Sequence, residues 1–434
     1  MYRLSNCVYK LEDKNKNIIL FNNYNLKSVE IKQEFYNEMI KNLNENTFDL
    51  SKEEYIYLVD NKFILKKEVD ELLLRKKLIE KKRELLKKYD TSNVGYMRIS
   101  LTENCNMRCK YCFVDDIFEE KKDMDIKTFI DAIDFMIKES KFPHIQYFGG
   151  EPLLKMGLIK RGHEILLKAK KDKTIDDFSE EIVTNGTLLD DNMIDYFLNN
   201  NMTLIFSIDG WKNINDKNRV NIDGQGTYDT VMKNFTKFKN KNGNAEIIIT
   251  ISEDNINSLE KIIVFFKENY DVNHFNINSP QPTEQGWNID GVKMAEKIIN
   301  IYEFCEKQNI QIEAPGLNLV HNLQRKTYQI NTCDNYGGVL NPKWGLYLFS
   351  SGELSYCNVE VTKSSHDYLY KFRPNEKFMN WHYMENEMEK CEKCIAYTVC
   401  GGLCSMERIM LKNSTKINNK CIFNKKIVEW ALTK

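Results

Sequence analysis

From about residue 96 the chain alternates short apolar runs with longer periodic segments. The runs Met97–Leu101, Ile145–Phe148, Glu181–Thr184, Thr203–Ile208, Glu246–Ile251 and His274–Asn278 are strand-like in length and in their content of Ile, Val, Phe and Tyr. Between them lie helical periods at Ile126–Lys138, Leu158–Lys171, Asp190–Asn199 and Thr227–Lys239. Six strands joined by helical crossovers predict an α/β fold with a parallel sheet, because only a crossover brings the chain back in the same direction.

The first 92 residues follow a different rhythm. Val8–Leu11 and Ile18–Phe21 flank the polar run 12–17, a hairpin-like arrangement. Helical periods follow at Ile31–Leu43 and Lys52–Val59, then a short strand around Lys62–Leu65, then a basic helix near Val69–Tyr89. Strands plus three helices in this size suggest a small winged-helix-like fold. Arg75, Lys76, Lys77, Lys81, Lys82 and Arg83 make the last helix basic, but Glu71, Glu80 and Glu84 interleave with them. That pattern favours a solvated connecting helix over a nucleic-acid-binding wing.

Composition adds mostly exclusions. At 434 residues the chain suits two or three domains. Lys+Arg is 62 against Asp+Glu 63, so no global basic field argues for nucleic acid. The N-terminus lacks the long apolar core of a signal peptide, and no apolar stretch approaches the roughly 18 residues a membrane helix needs. A soluble, cytoplasmic protein with no membrane partner is expected.

The 12 cysteines change the picture because they are clustered. Cys105, Cys109 and Cys112 form one group, and seven more run from Cys333 to Cys421. Cys7 and Cys305 stand apart and read as small buried hydrophobes. Clustered cysteines in a cytosolic chain read as metal ligands. Three thiolates spaced C-x3-C-x2-C can hold three corners of an iron–sulfur cube, leaving one iron open. Zinc is the alternative at such spacing. The motifs that follow the other strands weaken it: Gly149-Gly150-Glu151-Pro152 after the second, Thr184-Asn185-Gly186-Thr187 ending the third, Ser207-Ile208-Asp209-Gly210 ending the fourth. In α/β barrels, the active site gathers at these C-terminal strand ends.

The cysteine run, with Tyr111 before its last member, resembles the signature of radical S-adenosylmethionine (SAM) enzymes. The resemblance implies a partial (β/α)6 TIM-type barrel over residues 93–310. It also implies that SAM chelates the open iron of a [4Fe-4S] cluster and is cleaved to a hydrogen-abstracting 5′-deoxyadenosyl radical. By the same resemblance, the carbonyls around Gly150 and the Glu151 carboxylate accept hydrogen bonds from the SAM ammonium. Ser207 and Arg219 match the positions that serve its ribose hydroxyls and carboxylate, and the Arg fork suits a carboxylate. Tyr111 would pack near the adenine or shield the cluster. The stretch 207–227 resembles a peptide-modifying subgroup, with Asn215-Asp216 where that subgroup often has His-Asp.

Cys333, Cys357, Cys391-x2-Cys394-x5-Cys400-x3-Cys404 and Cys421, with Gly352 five residues before Cys357, resemble the SPASM domain, here residues 311–434. This implies two auxiliary clusters, hence three [4Fe-4S] clusters in all. Cys391, Cys394, Cys400 and Cys421 would close one. Cys333, Cys357 and Cys404 would hold the other, its fourth ligand being substrate thiolate, water or a further residue. The 18 residues between Cys333 and Gly352 exceed the usual spacing and include Tyr336-Gly337-Gly338 and Trp344. Structural zinc knuckles are the alternative.

In peptide-modifying members, a domain like residues 1–92 recognises a precursor leader by accepting it as an added strand. The expected enzyme is therefore a peptide maturase. It would form a thioether or carbon–carbon crosslink in a ribosomally made precursor with leader and core, fed electrons by a flavodoxin or ferredoxin. The alternatives are an anaerobic sulfatase-maturase-like oxidation of a protein Ser or Cys, and a non-catalytic zinc-binding module. The first alternative loses weight because Asn358 stands where those enzymes carry an Asp base.

Overall fold

Period-two alternation near the N-terminus builds two small sheets. The computed structural model describes all residues except 72, 75, 78–79, 81–93, 119, 281–286, 328–343, 356–369, 372–390, 392 and 401–413. β1 (Tyr2–Leu4) pairs antiparallel with β5 (Ile64–Lys66), while β2 (Val8–Glu12), β3 (Ile18–Asn22) and β4 (Lys27–Ile31) form an antiparallel meander. Helices Gln33–Glu45 and Glu53–Asp60 supply Met39, Leu43, Tyr55 and Leu58 to a separate core with Ile18, Leu20, Phe63 and Ile64. The meander exceeds the expected hairpin by one strand, and the helix expected from Ile31 starts at Gln33. The reason lies in Lys27-Ser28-Val29-Glu30-Ile31, whose β-branched residues alternate with polar ones and come into register with β3 as Val29 against Leu20 and Ile31 against Ile18.

The six expected strands form the middle of a ten-stranded sheet in the order β14-β13-β12-β10-β9-β8-β6-β15-β16-β17. Along the chain, β6 is Val94–Ser100, β7 Met107–Cys109, β8 His144–Phe148, β9 Ser179–Thr184, β10 Thr203–Ser207, β11 Arg219–Asn221, β12 Ala245–Thr250 and β13 His274–Asn278. β14 (Gln311–Glu313) joins in parallel beside β13, and β15 (Trp344–Leu348) joins in parallel beside β6. β16 (Glu353–Ser355) and β17 (Tyr370–Lys371) then extend the sheet antiparallel. Sequence patterning foresaw neither flank; β14 is only three residues long, and β15 lies far along the chain from its partner. Gly352, at φ +81°, sits in the turn of the β15–β16 hairpin.

The two faces of the sheet differ. Met97, Ile99, Ile145, Ile182, Leu204, Phe206, Ile247, Ile249, Phe275 and Ile277 are fully buried in the main core, which the crossover helices complete. The alternate positions carry polar groups that pair with one another: Gln146 Nε2 donates to Glu181 at 2.8 Å, Asn276 Nδ2 to Glu246 at 3.0 Å and Arg98 Nε to the Tyr96 hydroxyl at 3.2 Å, while Gln146 Oε1 is left without a partner. Cys7 and Cys305 are buried, as expected of small hydrophobes. Among the described residues, no helix is long and apolar enough to cross a membrane.

The C-terminal helix Ser414–Thr433 lies along Gly291–Gln308. The approach needs Gly291, where a β-carbon would stand 2.2 Å from the Asn419 carbonyl oxygen. The turn after β3 closes the molecule end to end. Fully buried Asn23 donates through Nδ2 to the Cys394 carbonyl at 2.9 Å, and the Thr398 hydroxyl donates to the Asn23 carbonyl. Removing the side chain leaves a buried carbonyl without its donor, which costs about 1–3 kcal/mol. Asn23→Ala should therefore lower the denaturant midpoint of the whole protein, read by circular dichroism.

Candidate active site

The three clustered thiols lie on the loop that leaves β6, at its C-terminal end. Between Cys105 and Cys112 the chain forms β7, which pairs antiparallel with β11 and sets Cys109 directly opposite Arg219. Lys110 N adds a bond to the Asn218 carbonyl at 3.0 Å. A segment of otherwise irregular chain is thus held by a ladder.

The loop lies backbone to backbone on the turn after β8. Gly150 N donates to the Thr102 carbonyl at 2.7 Å and Glu151 N to the Asn104 carbonyl at 3.0 Å. A β-carbon on Gly149 would stand 2.2 Å from the Thr102 oxygen, and one on Gly150 would stand 2.2 Å from the Asn104 oxygen. Gly149 also has φ +132°, a region that suits glycine. In the structure, the space a side chain would need is taken by the cysteine loop itself.

Glu151 is held by the protein itself. Its carboxylate is 1% exposed and accepts from Leu153 N at 3.1 Å, the Thr184 hydroxyl at 2.7 Å and Asn185 N at 2.8 Å. Those donors turn it toward the third strand end, where it braces the Thr184–Thr187 turn. Burial pushes its pKa up to about 7, against the opposing pull of the same hydrogen bonds. Beside it, three side chains close a ring: Asn185 Nδ2 donates to Asn106 Oδ1 at 3.0 Å, Asn106 Nδ2 to the Thr187 hydroxyl at 2.7 Å, and that hydroxyl to Asn185 Oδ1 at 2.6 Å. Asn185 Nδ2 also lies 3.8 Å from the Cys105 sulfur.

At the fourth strand end, Ser207 is the half-buried last residue of β10. Two residues on, Asp209 is fully buried and accepts from Arg219 Nη2 at 3.0 Å and from the Tyr111 hydroxyl. The Arg219 guanidinium lies 5.4 Å from the centre of the Tyr111 ring. Sequence reasoning placed Tyr111 and Arg219 in the site but gave Asp209 no task. Its position within Ser207-Ile208-Asp209-Gly210, on a strand end, was the available signal.

Burial raises the pKa of all three loop thiols, Cys105 to about 12 and Cys109 to about 11. At Cys109 the Arg219 charge works against the rise. Such thiols stay protonated at neutral pH unless a metal centre supplies positive charge. Among the described residues, no three His, Cys, Asp or Glu side chains converge closely enough to hold a metal ion as they stand. Two features fit a [4Fe-4S] cluster and a polar ligand upon it. One is the donor set, three thiols on one loop. The other is a row of buried donors without protein acceptors, Arg219 Nε and Asn218 Nδ2.

Asn218 opens onto a cavity of about 210 Å³ beside Tyr111, walled by Ile251, Ser252, Trp287 and Met294 at the ends of β12 and β13. Sequence reasoning missed this cavity, since its walls come from loops without a motif.

In the C-terminal region, Cys391 and Cys394 sit in a turn, Cys400 ends the helix Tyr397–Cys400, and Cys421 lies on the last helix. Burial raises the Cys394 pKa, with the nearby Cys391 and Cys421 adding to the rise. Asn424 Nδ2 donates to the Cys400 sulfur at 3.2 Å. Cys333, Cys357, Cys404, Asn358 and Tyr336-Gly337-Gly338 lie outside the described residues.

Residues 99–266 match the model of the radical SAM superfamily, so this part of the chain is a radical SAM domain. Among relatives, the radical SAM cyclopropyl synthase TigE of Paramaledivibacter caminithermalis is 26% identical over 335 residues, 71% of this chain and 67% of that protein. A cysteine-type anaerobic sulfatase-maturating enzyme of Clostridium novyi is 28% identical over 176 residues, and the match covers 38% of this chain and 46% of that enzyme. Among solved structures, anSMEcpe with bound AdoMet superposes at a TM-score of 0.60 and 19% identity, over 77% of this chain and 96% of that one. Streptococcus suis SuiB bound to its precursor peptide SuiA gives 0.56 and 14%, over 96% and 98%. At these identities the structural likeness establishes a shared fold.

Gly150→Ala forces a β-carbon onto backbone rather than onto a side chain that could move. It should cost more than about 2 kcal/mol and displace the cysteine loop. Iron uptake after anaerobic reconstitution should fall well below that of the unaltered protein, measured by colorimetric iron assay.

Proposed function

We propose that this protein is a radical SAM peptide maturase. The single observation that carries the reading is the seating of Cys105, Cys109 and Cys112 on one laddered loop at the strand ends, with the buried Arg219 set opposite Cys109. The three thiols would hold a [4Fe-4S] cluster, and a reduced cluster supplies the electron that cleaves SAM and releases a hydrogen-abstracting radical. Arg219 and Ser207 would receive the carboxylate and ribose of SAM, and carbonyls near Gly150 its ammonium. Tyr111, Asn218 and the adjoining cavity would seat its nucleoside. The burial of Glu151, Asp209 and Arg219 beside these groups would keep water from a reactive step.

Cys391, Cys394, Cys400 and Cys421 would carry a second cluster, and Cys333, Cys357 and Cys404 a third. The substrate would be a ribosomally made precursor, its core crosslinked through a thioether or a carbon–carbon bond. The fold shared with SuiB, which was solved with a precursor peptide, supports a peptide substrate. The leader would add as a strand to an edge of the β2–β3–β4 meander, residues 1–92 acting as its recognition domain. A flavodoxin or ferredoxin would supply electrons. Similarity to the Clostridium novyi enzyme favours oxidation of a Ser or Cys as the second reading.

Cys109→Ala should abolish 5′-deoxyadenosine production from SAM under dithionite, followed by liquid chromatography. Iron and sulfide analysis of oxygen-free protein should return about twelve irons per chain for three four-iron clusters; zinc alone rejects the reading. Co-expression with a short peptide encoded beside the gene should give a product lighter by two hydrogens per bond. Fragmentation distinguishes a crosslink from oxidation of a single residue.

A further inference from the structure

We propose that Asp209 is a positioning residue for the SAM site, locking Arg219 and Tyr111 into one unit whose remaining guanidinium edge receives the carboxylate of the ligand. This rests on the SAM reading above.

The Asp209 carboxylate accepts three hydrogen bonds, all from other parts of the protein. Oδ1 accepts from Arg219 Nη2 at 3.0 Å and from Thr250 N at 2.9 Å, and Oδ2 accepts from the Tyr111 hydroxyl. Its backbone N donates to Asn215 Oδ1 at 3.2 Å, and its carbonyl accepts from Asn255 Nδ2 at 3.1 Å. It is fully buried. A carboxylate so placed acts only through what it holds. It holds four separate pieces of chain together: the cysteine loop by Tyr111, the end of β10 by its own backbone, β11 by Arg219 and the end of β12 by Thr250.

Arg219 is the opposite case. A guanidinium carries five N–H donors in a rigid fork. Asp209 engages Nη2, which also reaches the Thr250 hydroxyl at 3.5 Å, and the guanidinium hydrogen-bonds the Cys109 thiol, while Nε is buried without an acceptor. The residue is 7% exposed, so water does not readily meet that need. An unfilled edge on a fixed planar fork suits a second carboxylate. The fork is fixed because its other edge is tied to Asp209 and its face lies over the Tyr111 ring. Without the Asp209 charge, the Arg219 charge would be buried unpaired, and the fork would turn away from the ligand.

The test measures SAM binding to anaerobically reconstituted holoenzyme by equilibrium dialysis, with 5′-methylthioadenosine, which has no carboxylate, as the second probe. If fully loaded unaltered enzyme does not bind SAM, the functional reading fails, whatever Asp209 does. If it binds, Asp209→Asn should raise the SAM dissociation constant by at least about tenfold and leave that of methylthioadenosine unchanged. The change in the electron paramagnetic resonance signal on SAM addition should shrink in step. Unchanged SAM affinity, or equal losses for both probes, overturns the proposal. Should Asp209→Asn fail to take up iron, Tyr111→Phe removes one link of the unit and keeps the ring. It should weaken SAM by several-fold with methylthioadenosine unaffected, and undiminished SAM affinity in that variant overturns the proposal.

Discussion

A contact between two stretches of backbone governs this site. Residues 102–104 rest on Gly149 and Gly150 with no room for a β-carbon on either glycine. Because amide and carbonyl groups meet there directly, the cysteine loop inherits the rigidity of the sheet. The alternative, a loop held by long side chains, would let the thiols wander by more than a shared cluster tolerates. Glu151 and the Asn106–Asn185–Thr187 ring then fasten the same loop to the third strand end.

The strands of the parallel sheet were legible because each buries one face against helices, and that burial writes Ile, Val and Phe into short, regularly spaced runs. The missed strands had weaker signals. Lys27–Ile31 went unread, and its last residue was taken as the start of a helical period, because an apolar residue at 31 fits either rhythm. Trp344–Leu348 is strand-like locally, but nothing in a linear reading says that its partner is β6.

In the site, residue types were easier to read than relations. The thiols, Arg219 and Tyr111 could be picked out singly, since each belongs to a motif. That Cys109 and Arg219 face one another follows from a short ladder between segments about a hundred residues apart. Glu151 illustrates the limit. A carboxylate after two glycines reads as a ligand-facing acceptor, yet three internal donors and near-complete burial give it a bracing task. Asp209 is the converse, a residue read only within the motif that ends the fourth strand, which proves to be the hub of the polar cluster.

The position of β15 bears on how the chain is made. β6 has one neighbour, β8, that emerges from the ribosome soon after it, and another, β15, that emerges some two hundred and fifty residues later. Throughout that interval β6 shows an unpaired edge to its surroundings, the kind of edge that invites association between nascent chains. Synthesis of the cysteine-rich tail is thus also the event that covers this edge of the parallel sheet, and a message truncated before that point would yield a chain prone to stick to its own copies.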